Sequence, residues 1–214
     1  MIRIIDRGLE EQIALLTRMG ELTYEVLSLS LHGYLQGRSV LEQVREMSDV
    51  LVAMADKVED KSFELIARFQ PVASDLRAIK SYMKIGNDFA RYARYALDIS
   101  SINDQLNGLE KCNVWVKEYL DEMSQKVLDM VKTSVDSLRK HDVALSRTIT
   151  PTERDVDKMY LGFLNRLIEE DHADTKCVAS SMLVTRYLER IADHAVYICE
   201  SVVYIVTGEK VSLG

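Results

Sequence analysis

Five acidic residues in the second half of this 214-residue chain have the types and spacing needed to hold a cation. Glu189 and Asp193 stand four residues apart in the stretch RYLERIADHAVYICE (Arg186–Glu200), and Glu200 lies eleven residues beyond Glu189. Positions i and i+4 share a helix face, and eleven residues make close to three turns, so the three form one acidic stripe. Cys199 is rotated well off that stripe and is not expected as a thiolate ligand. His194 lies about 100° around the helix from Asp193. Glu153 and Asp157 repeat the four-residue spacing upstream. With a corner near Asp171–His172 and a rise of about 1.5 Å per residue, the two pairs fall at nearly the same height on adjacent antiparallel helices. Four facing carboxylates repel one another, and a hard or borderline cation with oxygen ligands is their natural neutraliser.

Plainer readings of the same residues stand beside this one. Acidic i, i+4 pairs recur at Glu21/Glu25, Asp56/Asp60, Glu118/Glu122 and Glu170/Asp174, and such a pair is commonly a solvated face. Glu153 also fits the end of a capping box, Thr150-Pro151-Thr152-Glu153, and Glu189 has Arg186 and Arg190 as neighbouring ion-pair candidates. Glu169 and His172 have an ExxH spacing, but a ferritin-like di-iron site needs two such motifs. Tyr92, Tyr95, Tyr187, Tyr197, Tyr204 and Trp115 read as core or interface packing. The chain has no glycine-rich phosphate loop, GxSxG elbow or Cys–His dyad on facing helices, so catalysis is not expected.

The elements that must position these residues are all helical. Hydrophobic residues make up 47 % and charged ones 29 %, which supplies a core under a solvated shell. Only Pro71 and Pro151 interrupt a nearly continuous helical periodicity. Six long helices are expected, at about 6–34, 40–69, 72–102 and 109–140, then one ending near 168 and one ending near 207. The fifth has two possible starts: after Asp142, with a bend at Pro151, or at Thr150-Pro151. Helix 3 slid onto helix 6 by 99 residues places Arg91 on Arg190, Ala93 on Ala192 and Ala96 on Ala195. The fold class is therefore all-α, two tandem three-helix bundles, over residues 1–105 and 106–214. The net charge of −7 disfavours a nucleic-acid partner. The longest apolar run is too short to span a membrane. Cys112, Cys177 and Cys199 lack paired spacing and read as reduced thiols of a cytoplasmic protein.

Two segments carry a resemblance to a known family. LERIADHAVYICE (Leu188–Glu200) is similar to the PhoU signature ERIGDxxxNI with its trailing acidic residue. Gln70–Arg77, QPVASDLR, resembles the QPxASDLR segment that opens the third helix of PhoU proteins. The resemblance implies a regulator of phosphate uptake and phosphate-starvation signalling rather than an enzyme. Its implied partners are the ATPase subunit of a phosphate ABC transporter and, where present, a sensor histidine kinase. It also implies E/DxxxD metal sites, which carry over onto Glu189 and Asp193 and, through ERDVDKMY, onto Glu153 and Asp157. Iron and zinc are candidate metals. In the first half the matching positions are Ala90 and Arg94, so one metal site per chain is expected. There, acids at Asp49, Asp56, Glu59 and Asp60 read either as surface charge or as partners for Arg91 and Arg94. A homodimer is expected from the apolar stripes of long amphipathic helices. The alternative is a metal-dependent enzyme or metal store on a helical bundle.

Overall fold

The computed structural model describes residues 3–170 and 174–214. Its long helices are α1 (Ile4–Gln36), α2 (Leu41–Phe69), α3 (Ala73–Leu106), α4 (Val114–Lys140), α6 (Thr150–Glu169) and α7 (Thr175–Thr207). A single turn, α5 (Val143–Arg147), precedes α6. Helices α1–α3 pack as one bundle and α4, α6 and α7 as a second. The bundles join through α3 against α7 and α1 against α4. No strand occurs among the described residues.

Local chemistry sets most boundaries. Gly37 ends α1 in the left-handed region at φ 64°, and the Arg38 N–H returns to the Gly33 carbonyl. Gln70 leaves α2 just before Pro71, where the pyrrolidine ring disfavours a further helical residue. Both candidate starts of the fifth long helix are used. Asp142 caps α5, its carboxylate accepting the Leu145 N–H, and Pro151 stands in the first turn of α6, where its missing donor costs nothing. The fourth helix starts at Val114 rather than at Leu109. Asn107 and Gly108 have positive φ, and the turn they open buries Leu109. Asp171 and His172 lie outside the described residues.

The core runs unbroken through both bundles, with Leu16, Met19 and Leu27 of α1, Phe89 and Tyr92 of α3, and Ile191 and Val202 of α7 fully enclosed. Each such apolar side chain contributes about 1.5–3 kcal/mol relative to exposure. Gly20 permits the approach of α1 to α4, because a Cβ there would lie 2.8 Å from the Val135 methyls. Buried polar side chains also cross the joint, as in the 2.8 Å hydrogen bond between the Tyr34 hydroxyl and Ser180 Oγ.

The cysteines differ from the sequence expectation. Cys112 and Cys177 form a disulfide, and only Cys199 is a free thiol, buried in α7. The two bonded residues are 65 apart in sequence, so no local spacing marks them. They meet because the 107–113 turn lies against the first turn of α7, with Cα atoms 5.3 Å apart, inside the range a disulfide spans. Burial pushes the Cys199 thiol up to about 12, so it stays protonated.

Candidate metal centre

Three of the five acidic residues converge. Asp157 of α6 and Glu189 and Asp193 of α7 each offer a carboxylate oxygen, and these oxygens lie within 4.8 Å of one another. The i, i+4 spacing puts Glu189 and Asp193 on the α7 face turned toward α6, and Asp157 meets them from the exposed side.

Glu153, one turn before Asp157, is buried, and its Oε2 has no hydrogen-bond partner. It does not act as a cap: α6 has no side-chain cap, and its N-cap is Ile149. Gly214 packs over Glu153, since a Cβ at that glycine would stand 3.0 Å from Oε1. Glu189 is paired with Arg186 through Oε1, while its Oε2 is buried and unpartnered. Arg190 instead lies over the Tyr95 ring, 5.0 Å from the centroid.

Glu200 is placed differently from the stripe reading. It accepts the backbone N–H of Leu213 at 3.0 Å, and the Thr150 hydroxyl donates to the Leu213 carbonyl at 2.7 Å. Glu200 thus anchors the segment after α7 and lies outside the converging group. Glu200→Ala is expected to free that segment and cost about 1.5–3 kcal/mol, the range for a hydrogen bond to a charged group. Faster amide exchange at Leu213, with metal uptake unchanged, is the result that checks this.

The electrostatics of the group are those of negative charges brought together with only partial neutralisation, chiefly by Arg186 on Glu189. Burial and then the charges of Asp157 and Asp193 raise the Glu153 carboxyl above its ordinary range. Glu189 is raised by burial and by Asp193, with Arg186 opposing. Asp193 is raised by burial and by Asp157, with His194 and the two arginines opposing. Two orphaned carboxylate oxygens and three raised carboxyls are what an oxygen-ligand cation would satisfy. A hard or borderline ion fits this donor set; the buried Cys199 thiol takes no part in it.

In the first bundle, Ala90 and Arg94 occupy the positions matching Glu189 and Asp193. Of the two readings of the α2 acids, pairing with Arg91 and Arg94 is not formed: neither arginine makes an ion pair among the described residues. Of the tyrosines, Tyr92 and Tyr95 are buried at the joint as expected, whereas Tyr197 is 41 % exposed.

The sequence reading missed one buried polar pair. His194 Nδ1 meets Asp88 Oδ1 at 2.9 Å across the α3–α7 joint, and its Nε2 lies 3.2 Å from the Tyr95 hydroxyl. Both residues are largely buried. The only available signal was His194 about 100° around α7 from Asp193, and nothing local in the sequence pointed to Asp88.

The PhoU domain family model matches the sequence twice, over residues 16–102 and 120–202. A phosphate-specific transport system accessory protein PhoU homolog from Clostridium acetobutylicum is 32 % identical over 216 residues, covering 99 % of this chain and 98 % of its own. A homolog of the same description from Pseudomonas aeruginosa is 28 % identical, covering 95 % of this chain and 85 % of its own. The crystal structure of PhoU from Pseudomonas aeruginosa superposes with a TM-score of 0.89 at 28 % identity, over 95 % of this chain and 99 % of that one. The fold also matches the PhoU regulatory protein from Streptococcus pneumoniae, TM-score 0.75 at 23 % identity.

Proposed function

The chain belongs to the PhoU family of regulatory accessory proteins, which are not enzymes, and from that premise we propose that it regulates a phosphate-specific transport system through a metal-loaded second bundle. The observation that carries the metal reading is the meeting of Asp157, Glu189 and Asp193, beside the orphaned oxygens of Glu153 and Glu189. Asp157, Glu189 and Asp193 hold the ion, and Glu153 supports it from the buried side. The ion supplies positive charge that neutralises a repelling cluster and fixes α6 against α7. The first bundle lacks the second pair of carboxylates, so the proposal is one centre per chain, with iron and zinc the first metals to test.

The site lies where a partner can reach it, since Asp157 is exposed and Glu189 and Asp193 are half-buried. The partners in this reading are the transporter's ATPase subunit and a sensor histidine kinase, met in the cytoplasm. No described helix is long and apolar enough to cross a membrane. A homodimer belongs to the same reading, with the exposed apolar side chains Leu161, Ile168, Met182 and Leu183 as surface a second copy would cover.

Two measurements test this. A deletion strain complemented with the wild-type gene, but not with a Glu189→Gln/Asp193→Asn variant, should recover normal phosphate-responsive transcription. Unchanged transcription on deletion, at both high and low phosphate, rules out the regulatory role. Metal analysis of protein purified without chelator should give one centre per chain, lost in that double variant. Two centres per chain, or one that survives the substitutions, overturns the assignment.

A further inference from the structure

The first bundle has a groove of about 740 Å³ between α2 and α3. Its position parallels the metal centre, but its charge is mixed, with the cations Lys84, Arg91 and Arg94 beside the carboxylates Asp56 and Asp88. Val52 and Asp56 line it from α2, four residues apart like Glu153 and Asp157. Ala90 and Arg94 line it from α3, where the second bundle has Glu189 and Asp193.

The exposed side chains Lys84, Arg91 and Arg94 all line this groove. None of the three forms an ion pair among the described residues, in a chain whose net charge is −7. Among the described residues Lys84 is held by the Tyr197 ring, 5.3 Å from its ammonium. Asn87, exposed on the same face, adds a neutral donor and acceptor. Unpaired guanidinium groups are planar forks matched to oxyanions, and two of them with an ammonium suit a multiply charged one.

A second observation narrows the ligand. Asp88, 5 % exposed, also lines the groove. Its Oδ1 is taken by His194, while its Oδ2 is buried without a partner. A carboxylate repels a fully deprotonated anion but accepts a hydrogen bond from an anion that keeps a hydroxyl. At neutral pH phosphate retains a P–OH, whereas sulfate has none.

We propose that the α2–α3 groove binds inorganic phosphate as hydrogenphosphate, with Arg91, Arg94 and Lys84 on its charged oxygens and Asp88 accepting its hydroxyl hydrogen. The site does not depend on metal in the second bundle. Asp88 also holds His194, the neighbour of Asp193, so phosphate here contacts a residue that spans the α3–α7 joint.

The test is thermal melting and calorimetric titration of the full-length protein with inorganic phosphate, and with sulfate at matched ionic strength. Both metal-stripped and metal-loaded protein are used. Phosphate is expected to bind saturably and at least about tenfold more tightly than sulfate, because rejecting the anion that lacks the hydroxyl leaves Asp88 unpaired. Arg91→Gln/Arg94→Gln, at exposed positions, should weaken phosphate at least about tenfold. Asp88→Asn should remove the preference over sulfate, and Glu189→Gln/Asp193→Asn should leave phosphate binding intact. Equal responses to the two anions overturn the proposal. So does phosphate binding that survives the double arginine variant, or that requires Glu189 and Asp193.

Discussion

Asp193→Asn is expected to raise the stability of the metal-free protein while abolishing its response to added iron, zinc or manganese. Asp193 sits among Asp157, Glu189 and the charge of Glu153, so removing one negative charge relieves repulsion in the native state only. A gain on the order of 1 kcal/mol is the scale of a few screened repulsions at these separations. The metal response has the opposite sign. A ligand that binds only the native state stabilises by about 2.7 kcal/mol at a hundredfold excess over its dissociation constant. Wild type should therefore melt below the variant in chelator and above it in metal. Asp155→Asn, the control, neutralises an acid of α6 outside the converging group and should move neither value. A variant less stable than wild type in chelator would mean that the cluster is not under strain from its charge.

The same cluster fixes the sign of the pH dependence. Glu153, Glu189 and Asp193 have folded-state pKa values raised above their unfolded values. As pH falls from neutral through those raised values toward the ordinary carboxylate range, the native state takes up protons before the unfolded chain does. The metal-free protein therefore gains stability over that interval. Carboxylates with lowered values, such as Glu11 beside Lys61, oppose this, but they lie in solvent and their contribution is screened. With metal bound the trend reverses, because protons compete for the ligands. Urea midpoints at pH 5.5 and 7.5, in chelator and in metal, should show the two trends crossing.

What the sequence revealed, and what it hid, follows from how local each signal is. The helices were legible because Pro71, Pro151 and Gly37 act on their own neighbours, and Asp142 likewise caps a turn three residues away. Asp193 and Glu189 were legible because i, i+4 spacing fixes a common face whatever the tertiary structure. The pairing of α6 with α7 was legible because a short corner forces antiparallel neighbours. Glu200 shares the helical phase of Glu189, yet phase does not show that the segment around Leu213 folds back to use it. Cys112 and Cys177 meet only because a turn in one half packs on the start of α7, a contact between distant parts of the chain. The groove of the first bundle was half legible. The loss of carboxylates at Ala90 and Arg94 could be read from the repeat, but not that the arginines stay unpaired.

His194→Ala is expected to be the most damaging single change at the joint between the bundles, costing about 3–5 kcal/mol, the range for leaving a buried charge without its partner. A carboxylate only accepts, so His194 Nδ1 carries the hydrogen shared with Asp88, and a second hydrogen bond joins Nε2 to the Tyr95 hydroxyl. Truncation removes both bonds and the edge contacts of the imidazole with Tyr92 and Tyr197. Asp88, 5 % exposed at the wall of the α2–α3 groove, would then have neither oxygen satisfied. For a chain of this length the loss corresponds to a fall in Tm on the order of 10 °C. Packing alone predicts a cost too, so a double-mutant cycle separates the causes. If the orphaned carboxylate dominates, Asp88→Asn in the His194→Ala background restores part of the stability, because an amide is cheaper to bury than a charge. If only lost packing matters, the second substitution adds its own cost and the double variant is less stable than His194→Ala alone. The first outcome makes the Asp88–His194 pair an electrostatic latch between the two repeats, built from one residue of each. It would also explain how a change at the groove lined by Asp88 is felt one residue away from Asp193.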